Sequence, residues 1–185
     1  MPRTPLQNSS SRPVPATKEK PFIVIDGANV GRSYSVGYGQ PDLDLEKHKR
    51  EHPPLPGGKY HPPVCARAIT LAIEYFRGRG HNVRAFLPEF YCDGGRNGTQ
   101  FALEHRLLEP LRNEGIIMTT PGAAIDDIPA ILYAKDRVDG PVRLLTNDRF
   151  LDHIRNGICT KEWCDKNLIR YQWENKNKLF LCSPL

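Results

Sequence analysis

The strongest constraint on the fold of this chain is the alternation of short, apolar-rich runs with segments of helical periodicity. FIVI at 22–25 is a continuous apolar run that reads as a central strand, and the mostly apolar VRAFLP at 83–88, IIMTT at 116–120 and VRLLT at 142–146, too short for helices, read as the next three strands. Runs of this kind belong to strands covered on both faces, as in parallel sheets. Between them, Val64, Ala68, Leu71, Ala72 and Tyr75 recur at helical spacing, and the GRG at 78–80 ends that helix. A second helix is expected near Thr99–Glu114 with Gly115 just past its end, and a third from about Ile128 to Val138. A short fourth helix is expected from Asp148 to about Arg155. The order βαβαβαβα predicts an α/β fold, a central parallel sheet flanked by helices. A C-terminal β addition follows, with a helix in KEWCDKN, a strand LIRYQWE, a turn at Asn175–Asn177 and a strand KLFLC.

Parallel sheets carry their sites beyond the carboxyl ends of the strands. Asp26 ends the first strand, Asp126 and Asp127 follow the third, and Asp148 follows the fourth, with Asp152 four residues later. Each has a purely structural explanation. Asp26 fits an Asx turn with Gly27, and the others fit helix caps, which satisfy orphan N–H groups. The joint pattern favours more: capping does not require acids at three strand ends, whereas a metal site does. Asp148 and Asp152, at i and i+4, are expected on one helix face. Asn29 adds a neutral oxygen or amide beside Asp26. Packed carboxylates repel unless a cation neutralises them, and carboxylate oxygens suit a hard divalent ion. The formal net charge of +5 makes a polyanion the expected partner.

Residues 1–20 are rich in proline and serine with almost no apolar content, so they are expected to be a disordered tail. The polar stretch 31–63 is expected to be an insertion within the domain at 21–185, with a short helix around KHKREH. The five cysteines contain no CxxC, which fits free thiols in a reducing compartment: the cytoplasm, with nucleus and mitochondrion as alternatives. No apolar run approaches the ~20 residues of a membrane span. GRGHNV lacks the third glycine of a dinucleotide fingerprint and follows a helix, and no GxxxxGK[ST] exists. Ser33 and Ser35 have no placed base. A haloacid-dehalogenase-type phosphatase needs DxD after the first strand, and residue 28 is alanine.

With VIDGAN, IDDIPAILYA, LLTNDRFLDHI and CARAITLAIEYFRGRGH in place, the chain resembles the NYN/PIN-like ribonuclease superfamily, most of all the Regnase (MCPIP-type) endoribonuclease domain. TPG-x-x-x-DD, LLTND and the closing YQWENKNKLFL are also similar to the metallonuclease domain of protein-only RNase P. The resemblance covers roughly residues 21–182 apart from the insertion. It implies a PIN-like, Rossmann-like sheet and an endoribonuclease dependent on Mg²⁺, with Mn²⁺ able to substitute. Under it, Asp26, Asp126, Asp127 and Asp148 match the metal-site acids. Asn29 and Asp152 match the supporting asparagine and acid, and Arg67 matches an arginine near the cleft. The Regnase loops after strands two and three carry arginines that PEFY and PGAA lack, so Arg32, Arg96, Lys47, Lys49 and Arg50 are the substitute candidates for RNA binding. The CCCH finger is missing, which leaves target choice to protein partners or self-association. The rival expectation is an RNA-binding or scaffold module of the same fold with little or no turnover.

Overall fold

The computed structural model describes residues 19–38, 50, 62–93, 102–121, 127–137 and 139–182. Most of the 1–20 tail and of the 31–63 insertion lies outside them, as do Lys47, Lys49, Arg96 and Asp126. Five strands form one parallel sheet: β1 (Phe22–Asp26), β2 (Val83–Pro88), β3 (Ile117–Thr120), β4 (Val142–Leu145) and β5 (Leu168–Ile169). Their order is β3-β2-β1-β4-β5. The chain steps outward from β1 to β3, then crosses back to β4 on the other side of β1. The order therefore reverses between β1 and β4, and helices must cover both faces.

They do so in the way the strand sequences require. Ile23 and Ile25 of β1 enter one apolar cluster with α1 (Gly27–Tyr38) and α2 (Ala66–Arg77), together with Ala85 and Leu87 of β2. Val24, between them, points to the opposite cluster with Phe86, Leu144, and Ala130, Ile131 and Ala134 of α5. That helix spans Asp127–Asp136, with Pro129 tolerated in its first turn. The period-two alternation of a strand thus splits one apolar run between two cores. Residues before α5 form a one-turn α3 (Glu89–Cys92), a 3₁₀ turn at His105–Leu108 and α4 (Glu109–Asn113).

Two glycines set the start of α1. A Cβ on Gly27 would stand 2.7 Å from the carbonyl oxygen of Phe86, and one on Gly31 would stand 2.5 Å from Val64 Cγ1. Gly27 lets the helix leave β1 against β2, and Gly31 lets α1 press on the backbone that enters α2. The polar stretch expected to open a loop at Gly31 is accordingly helical to Tyr38. Its buried positions Tyr34 and Ser35 lie three and four residues after Gly31, at helical spacing, and Tyr34 meets the C-terminal hairpin.

Three further boundaries differ from expectation. The helix expected over Thr99–Glu114 is a 3₁₀ turn and a short α-helix where it is described. The expected strand LIRYQWE is two: β5 joins the parallel sheet, and β6 (Tyr171–Asn175) pairs antiparallel with β7 (Lys178–Leu181). Arg170 sits at the break. The hairpin folds over α1, where Tyr34 donates to the Lys176 carbonyl at 2.8 Å and meets Trp173 edge-to-face. Finally, the helix expected from Asp148 starts only at Leu151: α6 is Leu151–Arg155, followed by α7 (Lys161–Asn167), capped by Thr160 through the N–H of Trp163.

Candidate active site

The reversal point between β1 and β4 is where an open α/β sheet leaves a crevice. The register pairs Ile25 with Leu145, so the next residues, Asp26 and Thr146, lie side by side as the two strands end. Asp26 is 5 % exposed and Thr146 is fully buried. The Thr146 hydroxyl donates to Asp26 Oδ2 at 2.8 Å, and the Asn29 N–H donates to Asp26 Oδ1 at 3.0 Å. Asp26 is therefore also the N-cap of α1. Charge-assisted hydrogen bonds to both carboxylate oxygens offset the cost of burying it.

The same hydroxyl carries the network to the next acid. Thr146 Oγ1 accepts the N–H of Asp148 at 3.0 Å, and Asp148 Oδ1 accepts the N–H of Phe150 at 2.7 Å. This turn places Phe150 at φ 52, a left-handed conformation unusual for a side chain of its size, and buries its ring completely. Asp148 is left exposed, linked to Asp26 through the Thr146 hydroxyl, and precedes α6. The expectation that Asp148 and Asp152 share a helix face is therefore wrong: Asp148 belongs to the turn, and the Asp152 side chain is 71 % exposed.

Asp127 stands in the first turn of α5, where its oxygen lies 3.4 Å from His153 Nε2 of α6. The His153 ring packs edge-on against Phe150. Asp127 is thereby tied to the turn that carries Asp148. Among the described residues no three acid, histidine or cysteine side chains come together as a metal site. Asp126, the neighbour of Asp127, lies outside them.

A second set of contacts joins the site to the C-terminal hairpin. Asn29 Oδ1 accepts the N–H of Asn147 at 2.9 Å and the hydroxyl of Tyr171 at 2.9 Å. Asn147 and Tyr171 exchange two bonds, Nδ2 to the Tyr171 carbonyl at 3.0 Å and the Tyr171 N–H to Oδ1 at 3.2 Å. Burial raises the Tyr171 pKa strongly, the Ser33 hydrogen bond opposes this, and the Asp26 charge adds to it. Arg170 donates to the carbonyls of Thr146 (3.1 Å) and Asp148 (2.6 Å), closing the turn from β5.

The arginines assigned from the sequence are in part engaged. Arg67 forms a two-pronged pair with Glu104 at 3.2 and 2.9 Å, and Arg32 donates to the Tyr91 hydroxyl at 2.8 Å. Arg50 is exposed. The residues the sequence did not flag are Thr146, Asn147, Arg149, His153, Arg170 and Tyr171. Thr146 was legible in principle, since a hydroxyl at a strand end beside an acid-bearing strand end is the pattern already used for Asp26. Nothing local marks Tyr171, whose partner is far away in sequence.

The sequence model of the Zc3h12a-like ribonuclease NYN domain matches residues 19–183. Solved structures similar in fold include two of Arabidopsis thaliana PRORP2. One, described as nuclear protein-only RNase P 2, is 19 % identical with a TM-score of 0.54, over 90 % of this chain and 31 % of that one. The other, described as nuclear proteinaceous RNase P 2, is 20 % identical with a TM-score of 0.53, over 89 % of this chain and 30 % of that one. This chain thus spans under a third of those structures, and likeness at such identity speaks for the fold. No curated protein matches. The PIN-like sheet order, the acid-bearing strand ends and the nearly complete match place the chain in the Zc3h12a-like ribonuclease NYN-domain family.

Proposed function

We propose that this domain is a Mg²⁺-dependent endoribonuclease, with Mn²⁺ able to substitute, that cleaves single-stranded or loop RNA at the β1–β4 crevice. The observation that carries it is the Thr146 hydroxyl, which joins the buried Asp26 carboxylate to the backbone of the exposed Asp148. Asp26, Asp127 and Asp148, with Asp126, would hold the ion. The donor set suits a hard cation, because it offers carboxylate oxygens and no thiolate. A cage of three protein acids is not required, since Mg²⁺ keeps waters and is commonly held by one or two carboxylates plus substrate phosphate. When bound, the ion supplies a more acidic water and a counter-charge for the phosphodiester.

The protein's own part is positioning. Thr146 and the Asn29 N–H fix Asp26, the Asx turn to Phe150 fixes Asp148 Oδ1, and Asp148 keeps an oxygen available to orient a water. His153 holds Asp127. Arg149, the residue after Asp148, and Arg155, at the end of α6, are exposed and would provide a basic rim for the strand, beside the expected Arg32, Arg67, Arg96, Lys47, Lys49 and Arg50. An open acidic edge with a basic rim accommodates a flexible single strand better than a rigid duplex.

The test is cleavage of end-labelled single-stranded RNA with Mg²⁺, with excess EDTA, and with Asp26→Asn. Cleavage is expected only for the wild type in Mg²⁺ or Mn²⁺. Undiminished cleavage in EDTA would remove the metal mechanism. RNA binding without cleavage would favour the scaffold reading, which the missing three-acid group among the described residues keeps in play.

A further inference from the structure

Asn29 accepts two hydrogen bonds at one atom, and one of the donors is a backbone N–H. A backbone N–H can only donate, so the amide atom facing Asn147 must be the oxygen. The Tyr171 hydroxyl fills the second lone pair of that oxygen. The Asn29 carbonyl therefore has no capacity left for a cation. Its Nδ2 has no partner among the described residues, so two donors remain on a half-buried side chain in the first turn of α1, next to Asp26. Two donors beside a carboxylate recognise an anionic oxygen rather than a metal ion.

We propose that Tyr171 is a positioning residue which locks the Asn29 carboxamide with its amine facing the substrate, so that Asn29 donates to a phosphate oxygen of bound RNA. This rests on the RNA-cleavage reading above and adds the role of one amide and its keeper. Tyr171 suits the task because it is itself fixed. It is 2 % exposed, its backbone is paired with Asn147, and its hydroxyl donates to Asn29 Oδ1 at 2.9 Å. The C-terminal hairpin thereby sets a catalytic group on the first helix.

The experiment is single-turnover cleavage of labelled single-stranded RNA in Mg²⁺ by the wild type, Tyr171→Phe, Asn29→Ala and the double variant. Tyr171→Phe is expected to slow the rate at saturating RNA about tenfold, the scale of a small misplacement of a reacting group, while the KM for RNA changes little. Asn29→Ala slows it further. In the Asn29→Ala background, Tyr171→Phe should add nothing, because its only route to the reaction has been removed. Additive losses, or an unchanged Tyr171→Phe rate, would overturn the proposal: a merely structural tyrosine costs the same in both backgrounds.

A second measurement stands apart from turnover and from variants. In ¹⁵N spectra of the wild type, the Asn29 Nδ2 protons should shift on adding a single-stranded RNA with 2′-O-methyl riboses. Unmoved resonances would also overturn it. A wild type that cleaves no RNA would refute the endonuclease reading instead, and the same titration would still decide the orientation of Asn29.

Discussion

Thr146→Val separates the joint at the crevice from its surroundings with almost no change in shape. Thr146 is fully buried, and its hydroxyl both donates to Asp26 Oδ2 and accepts from the N–H of Asp148. Valine keeps the β-branched outline and removes both bonds. Asp26, 5 % exposed, loses one donor to a buried charge, and the Asp148 N–H loses its acceptor. A hydrogen bond to a charged group is worth about 1.5–3 kcal/mol, and an orphaned buried donor costs about 1–3 kcal/mol. Partial relaxation brings the expected loss to about 3 kcal/mol. For a domain of this size that lowers the Tm by roughly 6–12 °C. Thr146→Ser is the control: it keeps the hydroxyl and loses one methyl, worth about 1 kcal/mol. Urea denaturation in EDTA measures both variants without any contribution from metal binding. A Val variant no less stable than the Ser variant would show that the hydroxyl does not join the two strand ends.

Asp148→Asn should lose more RNA cleavage than the roughly 10- to 100-fold typical of an outer-sphere partner, with the Tm barely moved, because Asp148 is exposed; cleavage kinetics beside a thermal melt check both parts. Gly31→Ala should destabilise by roughly 1–3 kcal/mol, since its Cβ would meet Val64 Cγ1 at 2.5 Å, and a urea midpoint equal to wild type would refute the tight α1–α2 approach. Alkaline pH should weaken the fold through Cys92, whose thiol burial pushes up from 9.0 to about 11. The fold favours the neutral thiol, so this contribution is whole below pH 9.0 and lost as pH climbs through about 11; Cys92→Ala should flatten the stability profile across that window.

Legibility followed how local each signal was. The strands were readable because a two-sided sheet turns a strand into a continuous apolar run, and FIVI and VRLLT have no other use in a chain of this kind. The end of α2 was readable because Gly78 and Gly80 leave the helical pattern together. Asp26 and Asp148 were readable as strand-end acids because the apolar runs stop beside them, although capping and turn formation alone account for acids there, as both do in the structure. Failures came where distant contacts override local chemistry. Gly31–Tyr38 reads as polar and glycine-rich, yet Tyr34 finds Trp173 and the Lys176 carbonyl, and those contacts hold the helix. Asp148 reads as a helix cap, yet Thr146 and Phe150 bend it into a turn before the helix begins. Arg67, which the resemblance matches to an arginine near the cleft, pairs with Glu104, a partner that sequence spacing cannot connect to it.

The residues at the crevice divide by burial, and the division says what each can lose. Asp26, Thr146 and Tyr171 are buried and bonded to one another or to the same turns, so they build the joint that they serve. Changes there should lower stability and activity together, and the two losses cannot be assigned without a shape-preserving variant. Asp148 and Arg149 are exposed and project from a turn whose backbone other groups already hold, and Asp152 is exposed on α6 just beyond it. Little stability depends on them, so substitutions there test the proposed chemistry with the fold intact. A family member that had lost turnover but kept this fold would therefore be expected to retain the first group and drift in the second.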